Sequence, residues 1–153
     1  MTDSKTDRIE KNVHLRAPRN RVWQAIADSK QFGEWFEMKI DGAFEPGAKL
    51  RGTITTPGEY EGVSDFFVVE KVEPARFLSF RWHPYAIEKN VDYSKEPMTL
   101  VSFELEDGEG GTNLRIVESG FDALPESRRT IARRMNDEGW SIQSERVKQY
   151  VGG

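Results

Sequence analysis

The residue whose type and placement best suit chemistry is Glu118. In the run Leu114-Arg115-Ile116-Val117-Glu118 the carboxylate alternates with Leu114 and Ile116, so a strand turns it toward the face that its apolar neighbours mark as interior. A carboxylate there must be paired, hydrogen-bonded or neutral, because an isolated buried charge is very costly. Burial also raises its pKa, which is what a general acid or base needs. Two roles follow: an acid-base group inside a cavity, or a carboxylate anchored to loop amides near Gly120. Histidine offers less. There are two, His14 and His83, and neither lies in a ligand-spaced motif. His83 precedes Pro84 on the strand face opposite Trp82, so a solvated or rim position is expected for it. The chain has no cysteine, which removes thiolate nucleophiles, disulfides and cysteine zinc sites. No metal site and no cofactor are expected.

Composition narrows the partners. At 153 residues the chain has the size of one domain and can bury a core without staples. The formal net charge is −4 and the basic residues are interleaved with acidic ones, so nucleic acid is not an expected partner. The first residues, Met1 to Asp7, are polar and lack the apolar core of a signal peptide, and no stretch approaches a membrane span. Residues 1–7 read as a disordered lead before one domain over 8–151, in a cytoplasmic protein with no membrane insertion.

The elements that must position Glu118 follow from periodicity and turns. Ile9, Val13 and Leu15 alternate in a first, edge-type strand ended by Ala17-Pro18. Proline suits a helix start, and Val22, Trp23, Ile26 and Ala27 follow at helical spacing, predicting a helix over Pro18 to Ala27 and a second short one over Ser29 to Trp35. Then turns set the rhythm at Glu45-Pro46-Gly47, Thr56-Pro57-Gly58, Glu73-Pro74-Ala75 and Asp107 to Gly111. Strands are predicted at Lys49–Thr56, Gly62–Val72, Arg76–His83 and Met98–Glu106, followed by the strand that carries Glu118. Short turns imply an antiparallel meander. A long final helix is predicted from Leu124–Ser127 to Val151, with Ile131, Met135, Gly139 and Ile142 along one stripe and Trp140, Val147 and Val151 along an adjoining one, an apolar arc wide enough to face a curved sheet. Glycine inside a helix costs about 1 kcal/mol relative to alanine. Gly139 therefore points to a close approach to the helix axis, by a ligand or by packing of a strand or of Trp140.

In this order, the segments Ala17 to Trp23, Glu34-Trp35-Phe36, Leu78 to Trp82, Glu118 to Phe121 and Glu138-Gly139-Trp140 resemble the SRPBCC (START-like, Bet v-like) superfamily. The branch they resemble is the domain of the activators of the heat-shock ATPase (AHSA-type), over Arg8 to Val151. The resemblance implies an α+β helix-grip fold: a curved antiparallel sheet of six or seven strands around the long C-terminal helix, with two short helices after the first strand. It also implies an apolar cavity between sheet and helix. Carried over by position, Trp35, Trp82, Phe103, Ile116 and Met135 line that cavity, and Gly139 widens the passage beside the helix. Alternation with Leu114 and Ile116 turns Glu118 toward the helix, where it is expected at the cavity end near Gly120, hydrogen-bonded to backbone or a basic side chain. Core packing is the competing role for each aromatic.

The fold hosts several functions, so the site must decide. The leading expectation is binding of a hydrophobic or aromatic small molecule, lipid-like or polyketide-like. An enzyme of the cyclase, aromatase or hydrolase kind would need a polar group inside the cavity, with Glu118 the candidate and Arg81 or Tyr85 near the mouth. A co-chaperone-like module with a protein partner is implied only by family analogy. The long segment Trp82 to Pro97 reads either as a lid, with Tyr85, Ile87, Val91 and Tyr93 closing the mouth, or as an extended hairpin or oligomer contact.

Overall fold

The computed structural model describes residues 7–85 and 92–152. Strand β1 (Arg8–Leu15) is followed by helices α1 (Arg19–Ala27) and α2 (Ser29–Phe36). The short β2 (Met38–Ile40), β3 (Lys49–Ile54), β4 (Ser64–Glu73), β5 (Phe77–Trp82), β6 (Thr99–Gly108) and β7 (Gly111–Ser119) come next. A 3-10 turn over Phe121–Ala123 leads into α3 (Glu126–Tyr150). All pairings are antiparallel in one open seven-stranded sheet of order β1-β7-β6-β5-β4-β3-β2. The first strand closes the meander beside the last, and it is the edge strand its sequence suggested.

Local chemistry sets the boundaries. Pro18 stands at the start of α1, and the Asp28 carboxylate accepts from the Lys30 amide at 3.0 Å to cap α2. Glu37 ends α2 in the left-handed region and hands the chain directly to β2. At the far end of the sheet, Asp7, expected in a disordered lead, accepts from the Gly120 and Asp122 amides at 3.3 and 3.0 Å and so pins the exit of β7. The Asp7 backbone carbonyl also accepts from the Gly120 and Phe121 amides at 3.1 and 3.2 Å, so side chain and backbone together tie Asp7 to this turn.

The core is aromatic. Phe32, Phe67, Phe80 and Phe103 are fully buried between α2, the sheet and α3, with Trp35 and Trp140 nearly so. Their rings meet at centroid distances of 4.7 to 6.4 Å, mostly tilted or edge-on, the arrangement that aromatic quadrupoles favour. One sequence expectation fails here. Ile131 and Ile142, read as facing the sheet, are 39% and 55% exposed, while Ala132, Trp140 and Val147 form the buried stripe of α3. The helix is rotated because Asn136 and Gln143, polar in the pattern, turn toward the protein to reach acceptors there.

Candidate functional site

Glu118 is buried completely and is the point at which β5, β6, β7 and α3 converge. Its Oε1 accepts from Trp140 Nε1 at 2.8 Å, and its Oε2 from Trp82 Nε1 at 2.8 Å and Thr99 Oγ1 at 2.5 Å. Asn136 Nδ2 lies within 3.1 and 3.2 Å of the two oxygens. Alternation with Leu114 and Ile116 gives the inward direction, and both neighbours are buried beside it. The expected partners, however, were loop amides or a basic side chain. The partners are four neutral side chains instead, because the indoles and the amide of the packed aromatic layer reach the carboxylate before any loop does. Burial pushes the Glu118 pKa up, and hydrogen bonds from Thr99, Trp82, Trp140 and Asn136 oppose that push.

Beside this hub lies a cavity of about 350 Å³. Its floor is the end of α2 and β2 with Phe36 and Met38, its sheet wall is Phe67 and Trp82, and its helix wall is Met135, Asn136, Gly139 and Gln143. The mouth is framed by the β3–β4 connection, Thr56 to Tyr60, and by Asp65, His83 and Pro84. Gly52 makes room for this floor: a Cβ there would stand 2.6 Å from Met38 Sδ and 2.8 Å from the Phe67 ring. At Gly139 the situation is reversed. Beyond its chain neighbours and its own helix backbone, a Cβ would meet no atom within 4 Å. No strand packs against that glycine, and the space beside it is open cavity.

Of the residues singled out from the sequence, Trp82, Met135 and Gly139 come together on this cavity. Trp35, Phe103 and Ile116 do not line it. Trp35 donates its indole N–H to the Ala25 carbonyl at 2.8 Å, and Phe103 and Ile116 pack in the solid core. The ring layer fills the space between sheet and helix at that level, so the open volume is displaced toward β2–β4. Glu118 stands behind the wall, since Trp82 and Asn136 line the cavity and spend their N–H groups on it. Arg81 pairs with Glu70 away from the mouth. The Arg128 guanidinium lies over the Tyr85 and Tyr93 rings, at 5.2 and 5.6 Å from their centroids, and Arg128 also pairs with Glu96. Those two tyrosines therefore tie their segment to the first turns of α3. Ile87 and Val91 lie outside the described residues.

What the sequence reading missed is the pair His83 and Asp65. His83 Nδ1 and its backbone N–H lie 2.8 Å from the two Asp65 oxygens, with the imidazole 8% exposed. The hydrogen bond to Asp65 raises the His83 pKa, burial opposes it, and Asp65 charge and the Glu96 backbone add to the rise. Strand β5 ends at Trp82, so strict alternation no longer governs His83, and the Asp65 carboxylate of β4 draws the ring to the cavity mouth. The signal available was Pro84, which marks where alternation stops. Among the described residues no cluster of histidine, aspartate or glutamate is placed to hold a metal ion, and no helix is long and apolar enough to cross a membrane.

Comparisons with known proteins place this geometry. The chain is similar in structure to protein MLL2253 of Mesorhizobium loti, with TM-score 0.73, 23% identity, and 94% of this chain and 95% of that one covered. It is similar to DynU16, a protein in the dynemicin biosynthetic locus, with TM-score 0.69 and 26% identity, over 94% of this chain and 46% of that one. It also resembles the Aha1 dimer of Colwellia psychrerythraea, with TM-score 0.69, 20% identity and coverage of 94% and 95%. No curated protein sequence matches. The family model described as Activator of Hsp90 ATPase homolog 1-like protein (AHSA1) matches residues 16–152, and the chain belongs to that family.

Proposed function

We propose that the chain binds a hydrophobic or aromatic small molecule in the cavity between β2–β5 and α3. The observation that carries this reading is the open volume beside Gly139, walled by Phe36, Met38, Phe67, Trp82 and Met135. A pocket of a few hundred Å³ with mostly apolar walls and a few polar groups suits a small-molecule guest. Catalysis is less well supported. Glu118 has each oxygen engaged by donors and is separated from the cavity by Trp82 and Asn136, so it lacks a path to a bound molecule. The His83 ring is committed to Asp65 and to the Glu96 backbone, which leaves it poorly placed as a base. A protein-binding role rests on the family's name alone.

The test is a panel of lipids, flavonoids and polyketide-like aromatics followed by NMR shift perturbation and tryptophan fluorescence. Shifts should centre on Trp82, Met135 and Gly139. Gly139→Leu should abolish them while the protein stays folded, because the added side chain enters open cavity. Binding that survives Gly139→Leu unchanged would refute the reading.

A further inference from the structure

We propose that the outer stripe of α3 docks a second copy of this chain, the two α3 helices running antiparallel across a two-fold axis. Ile131 and Ile142 share that stripe and are 39% and 55% exposed, and Ile142 is the most exposed large apolar side chain among the described residues. They stand about 16 Å apart along the helix, three turns. Met135, between them, borders the cavity, so an apolar seam runs along α3 beside the mouth. Two such faces in contact bury an area at the low end of specific interfaces, below about 1,200 Å² in total, which suits a weak, micromolar dimer.

Charge selects the occupant. Arg134 and Glu138 flank the stripe on the side away from the cavity; both are exposed, and neither forms an ion pair among the described residues. Four residues apart, they do not pair with each other, and arginine before glutamate is the weaker order on a helix. The neighbouring charges are matched within the chain: Arg128 to Glu96, Arg146 to Glu37 at 3.5 Å, and Lys11 to Asp137 at 3.0 Å. A two-fold axis at the midpoint of the stripe, between Asn136 and Asp137, lays Ile131 on Ile142 of the second copy and sets Arg134 beside its Glu138. Each contact is made twice, as in any self-complementary interface. A parallel pairing would set Arg134 against Arg134 and Glu138 against Glu138. A uniformly acidic or basic partner would satisfy only one of the two charges.

Sedimentation velocity from low micromolar to submillimolar protein tests this. A concentration-dependent monomer–dimer equilibrium is expected. Ile142→Glu should weaken it by about tenfold or more, because a charge then enters the centre of the contact. Arg134→Glu and Glu138→Arg each set like charges across the axis and should each weaken association by roughly threefold to tenfold, the contact being made twice. An equimolar mixture of those two variants should recover the parent's association as a heterodimer, since each then faces the opposite charge. All these side chains are exposed, so the fold is not at stake. A chain that stays monomeric throughout, a dimer indifferent to Ile142→Glu, or a mixture that associates no better than its components would overturn the inference.

Discussion

The indole N–H of Trp82 points 2.8 Å from Glu118 Oε2 while the same side chain lines the cavity. One residue thus serves two neighbours: its ring faces the open volume, and its polar edge faces a carboxylate with no exposure at all. Trp140, inside the core, donates to the other oxygen at 2.8 Å, with the two indole rings 5.8 Å apart. The carboxylate engages both rings, and the Trp82 ring forms part of the cavity wall.

That arrangement predicts an unusual mutational order. In Glu118→Gln the amide nitrogen must replace one oxygen, and whichever one it replaces meets an indole N–H, a group that only donates. We expect a loss of about 1–3 kcal/mol, the cost of a stranded buried donor. Adding Trp82→Phe to Glu118→Gln should cost less than the sum of the two single changes, because the amide can then settle on the side whose N–H is gone. Urea unfolding of the four proteins measures this. Strict additivity would mean that the hydrogen bonds do not govern the site.

The same residue predicts a pH trend. Burial raises the Glu118 pKa above that of the unfolded chain, so the folded state holds its proton more tightly. Its contribution to stability is then greatest below the unfolded value, and it falls as pH rises from there through the folded value. Thr99 Oγ1, 2.5 Å from Oε2, can accept from the neutral acid as well as donate to the carboxylate, which lets both forms fit. Glu118→Gln should remove this segment of the stability profile between the unfolded and folded values, as read by thermal unfolding across pH.

His83 contributes with its own window. Its folded pKa is raised by Asp65, so the pair stabilises the fold below the unfolded histidine value and loses that contribution as pH climbs through the folded value. In Asp65→Asn the largest cause of the rise disappears, and the His83 ring resonances should titrate at lower pH than in the parent protein. An unchanged midpoint in an NMR titration would show that Asp65 does not set it.

Much of this architecture was legible in the chain, and the failures have physical causes. Alternation put Glu118 inside and gave the meander its strands, since apolar period and turn residues act locally. Six of the seven strands and the long α3 followed from the same signals, whereas the three-residue β2 was not read and the place of β1 beside β7 has no local signal. The hub's partners were not legible, because Trp82, Thr99, Asn136 and Trp140 reach Glu118 across four elements and no local pattern brings them together. The rotation of α3 was hidden for a related reason: a pattern reader assigns Asn136 and Gln143 to solvent, while buried acceptors at Glu118 and Phe36 claim them. Gly139 was recognised as unusual, but only coordinates separate packing from open space.

Two helix glycines make that last distinction measurable. Gly33 of α2 and Gly139 of α3 both sit inside helices, where alanine is intrinsically better by about 1 kcal/mol. At Gly33 a Cβ would stand 2.2 Å from the Met38 carbonyl oxygen, a backbone atom that cannot move without shifting β2 and the cavity floor. At Gly139 a Cβ would enter open volume. Gly139→Ala should therefore gain about 1 kcal/mol, raising Tm by roughly 2–4 °C for a chain of this size. Gly33→Ala should lose about 1–3 kcal/mol, the usual cost of overpacking. Differential scanning calorimetry of both variants gives the two signs directly. If Gly139→Ala destabilised the protein as Gly33→Ala does, the space beside α3 would be filled, and the cavity would have to be sought elsewhere.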